Sequence, residues 1–149
     1  MARPPAPAFA AARALAHSAC PCGSARPLAA CCGRWHEGPL HLQAPDAAQL
    51  MRSRYSAYVL GLTDYLRRTW HPSTCPAELD TDPAVRWLGL QVRSARTPEP
   101  GRAEVEFVAR SRLGGRGHRL HETSRFVSED ADGTGVRWWY VDGTLHAGG

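Results

Sequence analysis

Four cysteines lie within thirteen residues near the start of the chain, and this cluster constrains the fold more than any other feature. Cys20 and Cys22 form a CxC pair, and Cys31 and Cys32 follow as an adjacent pair after eight intervening residues. Neither pair closes an ordinary disulfide loop by itself, although cross-links between the pairs are possible. The segment that holds them has few large apolar side chains and cannot bury enough surface to fold alone. The spacing therefore favours a bound metal ion.

Zinc is the metal that this donor set favours, because Zn²⁺ prefers four tetrahedral thiolate or imidazole ligands. We expect Cys20, Cys22, Cys31 and Cys32 to hold a structural Zn²⁺ ion. Adjacent cysteines on one ion are cramped, so His36, four residues past Cys32, is an alternative ligand. Four protein ligands leave no open position, so such a site implies a structural or docking role rather than catalysis.

The chain divides into three zones. Residues 1–19 are rich in Ala and Pro and predict a mobile arm. Prolines and Arg13 interrupt its apolar stretch, so it is not a convincing signal peptide, and together with the thiolate site this favours a reducing cytoplasm. Residues 20–41 are the predicted zinc knob, and residues 46–146 follow a short linker as a larger domain. No run of eighteen apolar residues exists, so we expect no membrane span.

The larger domain begins with helical periodicity and ends with strand periodicity. Asp46 is placed to cap a helix that ends at Gly61, and a second short helix is predicted from Asp64 to before Pro72. Alternation then predicts strands at about 104–110, 120–127 and 137–141, with turns at 114–117 and 132–133. Helices followed by strands, without alternation, indicate an α+β fold with an antiparallel sheet.

The positive charge is a weak indication of nucleic-acid binding. The formal net charge is +4, but all 18 basic residues are Arg, and the chain has no Lys, Ile or Asn. These three absences together indicate genome composition rather than a selected basic surface. Four thiolates around one Zn²⁺ add −2, which lowers the net charge to about +2. We therefore do not expect specific binding of nucleic acid.

Several motifs resemble known families. Cys20-Pro21-Cys22-Gly23-Ser24 with the later cysteine pair and glycine resembles the SEC-C module, the small zinc knob of the SecA translocation ATPase. Ala25 stands where that module usually carries Gly. The segments 50–59, 69–73, 122–126 and 139–143 further resemble the YchJ family, in order along the chain. The resemblance implies a SEC-C knob joined to a cystatin-like, nuclear transport factor 2-like domain, in which helices pack on a curved antiparallel sheet.

Domains of that fold often leave a conical pocket, which points to a set of candidate polar residues. The candidates are His71, Glu122, Arg125 and Tyr55, together with Arg52, Arg54 and Asp142. Alternation places Glu122 on the same strand face as apolar residues, where it needs a partner or a raised pKa. Facing His71 or Tyr55, Glu122 could act as a general base. The favoured alternative is an ion pair of Arg52 or Arg54 with Glu122, which would fix the first helix to the sheet.

Two functions from different classes follow. We expect an interaction module whose knob docks on a protein partner, such as a translocation, chaperone or ribosomal component, by analogy with SecA. The alternative is a small-molecule-binding protein or an enzyme of the isomerase or hydrolase type that uses the pocket. Because the larger domain has its own apolar pattern, we also expect loss of the metal to unfold residues 20–41 alone.

Overall fold

The computed structural model describes residues 16–146, so most of the predicted Ala/Pro arm lies outside the described residues. The knob contains a 3₁₀ turn, Leu28–Ala30, and a single helical turn α1, Gly33–His36. The larger domain has helices α2 (Ala47–Leu60) and α3 (Thr63–Arg68). Its strands are β1 (Arg86–Glu99), β2 (Arg102–Leu113), β3 (Arg116–Glu129) and β4 (Arg137–Leu145).

Helix α2 begins and ends where its capping residues predict. The Asp46 carboxylate accepts a hydrogen bond from the Gln49 backbone N–H at 2.8 Å, which satisfies one of the free donors of the first turn. Gly61 adopts the left-handed conformation at φ 72°, and its N–H donates to the Ala57 carbonyl. Helix α3 is shorter than predicted, because Trp70 leaves the helix and forms a parallel bridge with Tyr140 of β4.

The sheet is an antiparallel meander in the order β1-β2-β3-β4. Three of its strands match the alternating segments of the sequence, and the predicted α+β class is confirmed. Strand β1 is not among the segments that alternation predicts. It has no fully buried residue, and its register with β2 shifts at Gly89, where φ is 155°. Bulges of this kind, repeated in β4 opposite Arg125 and Phe126, bend the sheet.

Helix α2 lies between the sheet and the knob, and it contributes to two cores. The larger core packs α2 and α3 on the inner face of the sheet through residues such as Leu50, Tyr55, Val105 and Phe126. The smaller core joins the four cysteines to Leu28 and to Leu60 at the end of α2. We call the sheet face that packs on α2 the inner face, and we call the opposite face the outer face.

Polar contacts also attach the knob to α2. The Arg52 guanidinium donates to the Cys22 carbonyl at 3.0 Å, and the His36 Nε2–H donates to the Ser53 carbonyl at 2.9 Å. Ser56 Oγ lies 3.5 Å from Cys20 Sγ. These contacts argue against the expectation that loss of the metal unfolds residues 20–41 alone, because α2 packs on both units.

Candidate functional site

The four clustered cysteines form one compact group of sulfur atoms. All four are buried, and their Sγ atoms lie within 4.8 Å of one another. Cys22 Sγ lies 3.6 Å from Cys31 Sγ, and Ser24 Oγ donates to Cys31 Sγ at 3.1 Å. Hydrogen bonds from Cys20 and then from Cys32 lower the pKa of Cys22 far below that of an ordinary thiol. A buried set of four soft donors with a favoured thiolate suits a metal ion with four protein ligands.

His36 does not join this cluster. Its Nε2 is hydrogen-bonded to the Ser53 carbonyl, and its ring packs edge-on against Tyr65 with centroids 4.8 Å apart. Burial lowers the pKa of His36, so the neutral ring is favoured. The structure therefore places the alternative ligand in the contact between α1 and α2, away from the sulfur atoms.

A pocket of about 280 Å³ opens between α2 and the inner face of the sheet. Its wall is mostly aromatic, with rings from Tyr55, Tyr58, Trp70, Trp87, Phe107, Phe126 and Tyr140. Its polar groups are Arg54, Glu122 and Ser124, besides the phenol hydroxyls. We call this space the aromatic pocket. Pockets of this size that combine rings with a few polar groups are typical of small-molecule sites.

Arg54 is the cation of the aromatic pocket, and no carboxylate among residues 16–146 pairs with it. One guanidinium nitrogen donates to the Leu66 carbonyl at 2.8 Å and to Thr69 Oγ1 at 2.6 Å. The guanidinium lies over the rings of Trp70, at 4.9 Å, and Tyr140, at 4.4 Å. Burial lowers the pKa of Arg54, yet an arginine stays charged at neutral pH. The remaining guanidinium nitrogens make no hydrogen bond to the described residues.

Glu122 is the anion of the aromatic pocket. Its Oε2 accepts hydrogen bonds from Ser124 Oγ at 2.6 Å and from the Tyr140 hydroxyl at 3.4 Å. The carboxylate leans across Gly143 of β4, so closely that a Cβ at position 143 would collide with it. Burial and then the nearby Glu122 charge raise the pKa of Tyr140, and the neutral phenol is favoured.

The predicted partners of Glu122 lie elsewhere. Arg52 contacts the knob and Arg54 contacts α3, so neither predicted ion pair with Glu122 forms. His71 is also outside the aromatic pocket, because its Nε2 pairs with Glu129 Oε2 at 2.7 Å. Tyr55 does line the pocket with Glu122, and burial raises its pKa.

Arg125 belongs to the outer face of the sheet. Its Nε donates to Asp142 Oδ1 at 2.7 Å, and another nitrogen donates to Thr144 Oγ1. Both Arg125 and Asp142 are thus candidates that the structure removes from the aromatic pocket. Trp70 and Trp87 also line the pocket. Sequence analysis did not single them out, because aromatic residues are most simply assigned to the hydrophobic core.

The described part of the chain contains no helix that is long and apolar enough to cross a membrane.

Comparison with known proteins identifies the family to which the chain belongs. The family described as "YchJ, middle NTF2-like domain" matches residues 46–143, and the SEC-C motif matches residues 18–34. A UPF0225 protein of Bordetella parapertussis is 57% identical over 129 residues, which cover 86% of this chain and 93% of that protein. A UPF0225 protein of Ralstonia nicotianae is 56% identical over 135 residues, covering 86% and 92%.

Two solved structures have a similar fold. The crystal structure of a SEC-C motif containing protein from Psychrobacter arcticus has a TM-score of 0.71 at 27% identity, and it covers 89% of this chain and 85% of that one. The solution structure of RPA3114, a SEC-C motif containing protein from Rhodopseudomonas palustris, has a TM-score of 0.68 at 33% identity, covering 85% and 98%. The resemblance found in the sequence is confirmed, and the chain belongs to the YchJ (UPF0225) family, with a SEC-C motif and an NTF2-like domain.

Proposed function

We propose that the protein binds a small aromatic carboxylic acid in the aromatic pocket. The observation that carries this proposal is Arg54, a buried cation in the wall of an open pocket without a carboxylate partner among residues 16–146. Burial of an unpaired charge costs several kcal/mol in general, by order of magnitude. An anionic ligand would offset that cost.

Two pocket residues could donate to the ligand's carboxylate. Arg54 keeps free N–H groups after its hydrogen bonds to Leu66 and Thr69. Trp70 also lines the pocket, its ring lies 4.9 Å from the Arg54 guanidinium, and its indole N–H is buried without a hydrogen-bond partner among the described residues. A guanidinium and a neutral N–H are a suitable pair for a carboxylate, and the surrounding rings suit an aromatic body.

Glu122 sets a second requirement on the ligand. Its carboxylate lines the same pocket as Arg54 and would repel a second anionic group. It would accept a hydrogen bond from a hydroxyl or amino group at the other end of the ligand. We therefore propose a ligand with one carboxylate and one hydrogen-bond donor, which fits the small volume of about 280 Å³.

Binding rather than turnover is the better match to this arrangement. Glu122 could accept a proton, but His71, its predicted partner, contacts Glu129 instead. The other acid–base groups of the pocket are phenols, and burial raises the pKa of Tyr55 and of Tyr140. Neither of these two phenols is thus a ready proton donor near neutral pH.

Calorimetric titration tests the proposal with matched probes. We expect 4-hydroxybenzoate to bind more tightly than benzoate, and benzamide, which lacks the anion, not to bind. Arg54→Met should abolish binding of 4-hydroxybenzoate. Arg125→Met, which removes an arginine from the outer face of the sheet, should leave it unchanged.

Equal binding of benzoate and benzamide would overturn the role of Arg54. If no aromatic acid binds at millimolar concentration to the folded wild-type protein, the proposed ligand class is wrong. A circular dichroism spectrum of each variant separates loss of binding from loss of fold.

We also propose that the metal of the cysteine cluster is Zn²⁺ in a structural role. Support comes from the four buried sulfur donors, which match the coordination that zinc prefers. Such a site requires reduced thiols, which is the basis for our proposal of a cytoplasmic location. Metal analysis of the purified protein should find one zinc per chain, and Cys22→Ser should lose it.

Docking of the knob on a protein partner remains a second candidate function. It is favoured by a groove of about 430 Å³ on the knob, whose walls include Leu28, Pro39 and the half-exposed Leu40. A translocation, chaperone or ribosomal partner would insert an apolar side chain there. A partner that a purified-component binding assay detects with wild type and not with Leu40→Arg would support docking, and equal binding to both would contradict it.

A further inference from the structure

A second group of metal-ligating side chains lies on the outer face of the sheet, away from the cysteine cluster. Glu106 belongs to β2, His121 to β3, and His146 directly follows β4. Their inward neighbours Phe107 and Glu122 line the aromatic pocket, so alternation along the strands places Glu106 and His121 on the opposite face. The His146 backbone N–H donates to the His121 carbonyl at 2.8 Å, which extends the β3–β4 pairing by one residue.

The three side chains converge. His121 Nε2 lies 2.6 Å from Glu106 Oε2, and the rings of His121 and His146 stack with centroids 4.2 Å apart. One ligand atom from each residue lies within 4.8 Å of the other two. Two imidazoles and one carboxylate are the donor set of many zinc, nickel and cobalt sites in proteins.

Neighbouring hydroxyl groups orient these ligands. Thr123 Oγ1 is hydrogen-bonded to His146 Nε2 at 2.7 Å, and Ser94 Oγ donates to Glu106 Oε1 at 3.4 Å. A partner on one nitrogen of a histidine ring commonly fixes the ring and leaves the other nitrogen for a metal ion. Each of these two ligands thus has its own supporting contact.

An ion pair between Glu106 and His121 explains only part of this arrangement. Such a pair does not require His146 to stack on His121, and two protonated imidazoles at 4.2 Å would repel each other. Neutral imidazoles, the form that ligates metals, stack without that cost. Glu106 and His121 are both partly exposed, with 32% and 15% of their side-chain surface accessible, so an ion can reach them from solvent.

We propose that Glu106, His121 and His146 bind a divalent transition-metal ion, independently of the cysteine cluster. Three protein ligands leave at least one position for water or an exogenous ligand. This outer site therefore differs in kind from the cysteine cluster, which has four protein ligands. It is independent of the aromatic pocket as well, because the sheet separates them.

Titration of Zn²⁺ into protein that already carries one zinc tests the proposal. We expect a second binding event of one equivalent in the wild type, weakened at least tenfold by His121→Ala and by His146→Ala. His118→Ala is the matched control, since His118 is an exposed histidine of β3 outside the cluster. Position 146 is exposed and follows the last strand, so its substitution tests ligation without disturbing the sheet.

Cobalt distinguishes the two metal sites spectroscopically. Co²⁺ bound to thiolates gives an intense sulfur-to-metal charge-transfer absorption, whereas Co²⁺ on histidine and carboxylate ligands does not. We expect zinc-loaded protein to take up one Co²⁺ without that absorption. Absence of a second binding event, or a second event that persists in the His121→Ala/His146→Ala double variant, would overturn the proposal.

Discussion

Glu122 on β3 is a diagonal neighbour of Gly143 on β4, which pairs with Ser124, and the Glu122 carboxylate occupies the space that a side chain at position 143 would fill. Gly143 is an ordinary strand residue and does not have a positive φ, so its backbone would accept alanine. The requirement for glycine at this position therefore comes from contact with Glu122, whose side chain supplies the three nearest atoms. It links the last strand to the position of the carboxylate that, among residues 16–146, lines the aromatic pocket.

Gly143→Ala should destabilise the protein by about 2 kcal/mol, because the added methyl group displaces the Glu122 side chain. In a Glu122→Ala background the same substitution should cost no more than about 0.5 kcal/mol. Urea unfolding of the four proteins in this double-mutant cycle measures the coupling. Additive effects would show that another contact requires the glycine.

Glu122→Gln should leave stability within about 0.5 kcal/mol of the wild type, because an amide oxygen can still accept the hydrogen bond from Ser124. It should weaken 4-hydroxybenzoate more than benzoate, since only the former donates a hydrogen bond. Calorimetry on both ligands checks this. A large loss of stability with unchanged ligand preference would assign Glu122 a structural role instead.

Ala25→Gly should stabilise the protein by about 1 kcal/mol. Ala25 has φ 68°, a left-handed conformation that costs an alanine roughly 1–2 kcal/mol and glycine almost nothing. Glycine also gains freedom in the unfolded chain, which offsets part of the benefit. Thermal unfolding of the zinc-loaded proteins measures the difference. Ala29→Gly, in the nearby 3₁₀ turn, is the control and should be destabilising.

Removal of the metal should lower the stability of the larger domain by about 2 kcal/mol, because α2 loses its contacts with the knob. Near-ultraviolet circular dichroism reports mainly this domain, because four of the five tryptophans, all except Trp35, belong to it, and chelator is added to reduced protein. Cys22→Ser should reproduce the effect, whereas Cys75→Ser, outside the cluster, should not. If the melting temperature of the larger domain stays within about 1 °C after chelation, the two units are independent.

His36 should make the protein less stable in mild acid. Its pKa is lower in the folded state than the ordinary value of 6.5, because the ring is buried. The unfolded chain therefore binds a proton first as the pH falls, and stability present above pH 6.5 is lost below it. Protonation of the thiolates adds a loss of its own, so the comparison is made with His36→Gln. We expect the melting temperature of the variant to fall less between pH 7 and pH 5.5, and parallel curves would contradict this.

Local signals account for the parts of the fold that the sequence predicted. Asp46 and Gly61 cap α2 through contacts within a few residues, and alternation along β3 depends on one strand only. Strand β1 was harder to recognise because neither of its faces is fully buried and Gly89 interrupts its alternation. Without a buried face, the alternation of apolar and polar residues is weak.

The candidate site likewise has some parts that local sequence predicts and others that depend on tertiary packing. The spacing of the cysteines and the strand face on which Glu122 lies are properties of the local sequence. In the structure the four sulfur atoms cluster, and Glu122 lines the aromatic pocket. The partners of Arg54 were not predictable, because they are the Leu66 carbonyl within α3 and the Thr69 hydroxyl just after it. Which acceptors lie beside Arg54 depends on how α3 packs on α2. Charge alone favoured Glu122 as its partner.

The meander order of the sheet has a consequence for how the chain folds. Each strand pairs with the next one along the chain, so the sheet can assemble through successive hairpins with little loss of loop entropy. Some contacts from the knob to α2 span more sequence, such as that between Cys20 and Ser56, which are separated by 36 positions. We expect the strands to associate early, and metal capture by the cysteines to complete folding as a late step whose rate depends on the concentration of free metal.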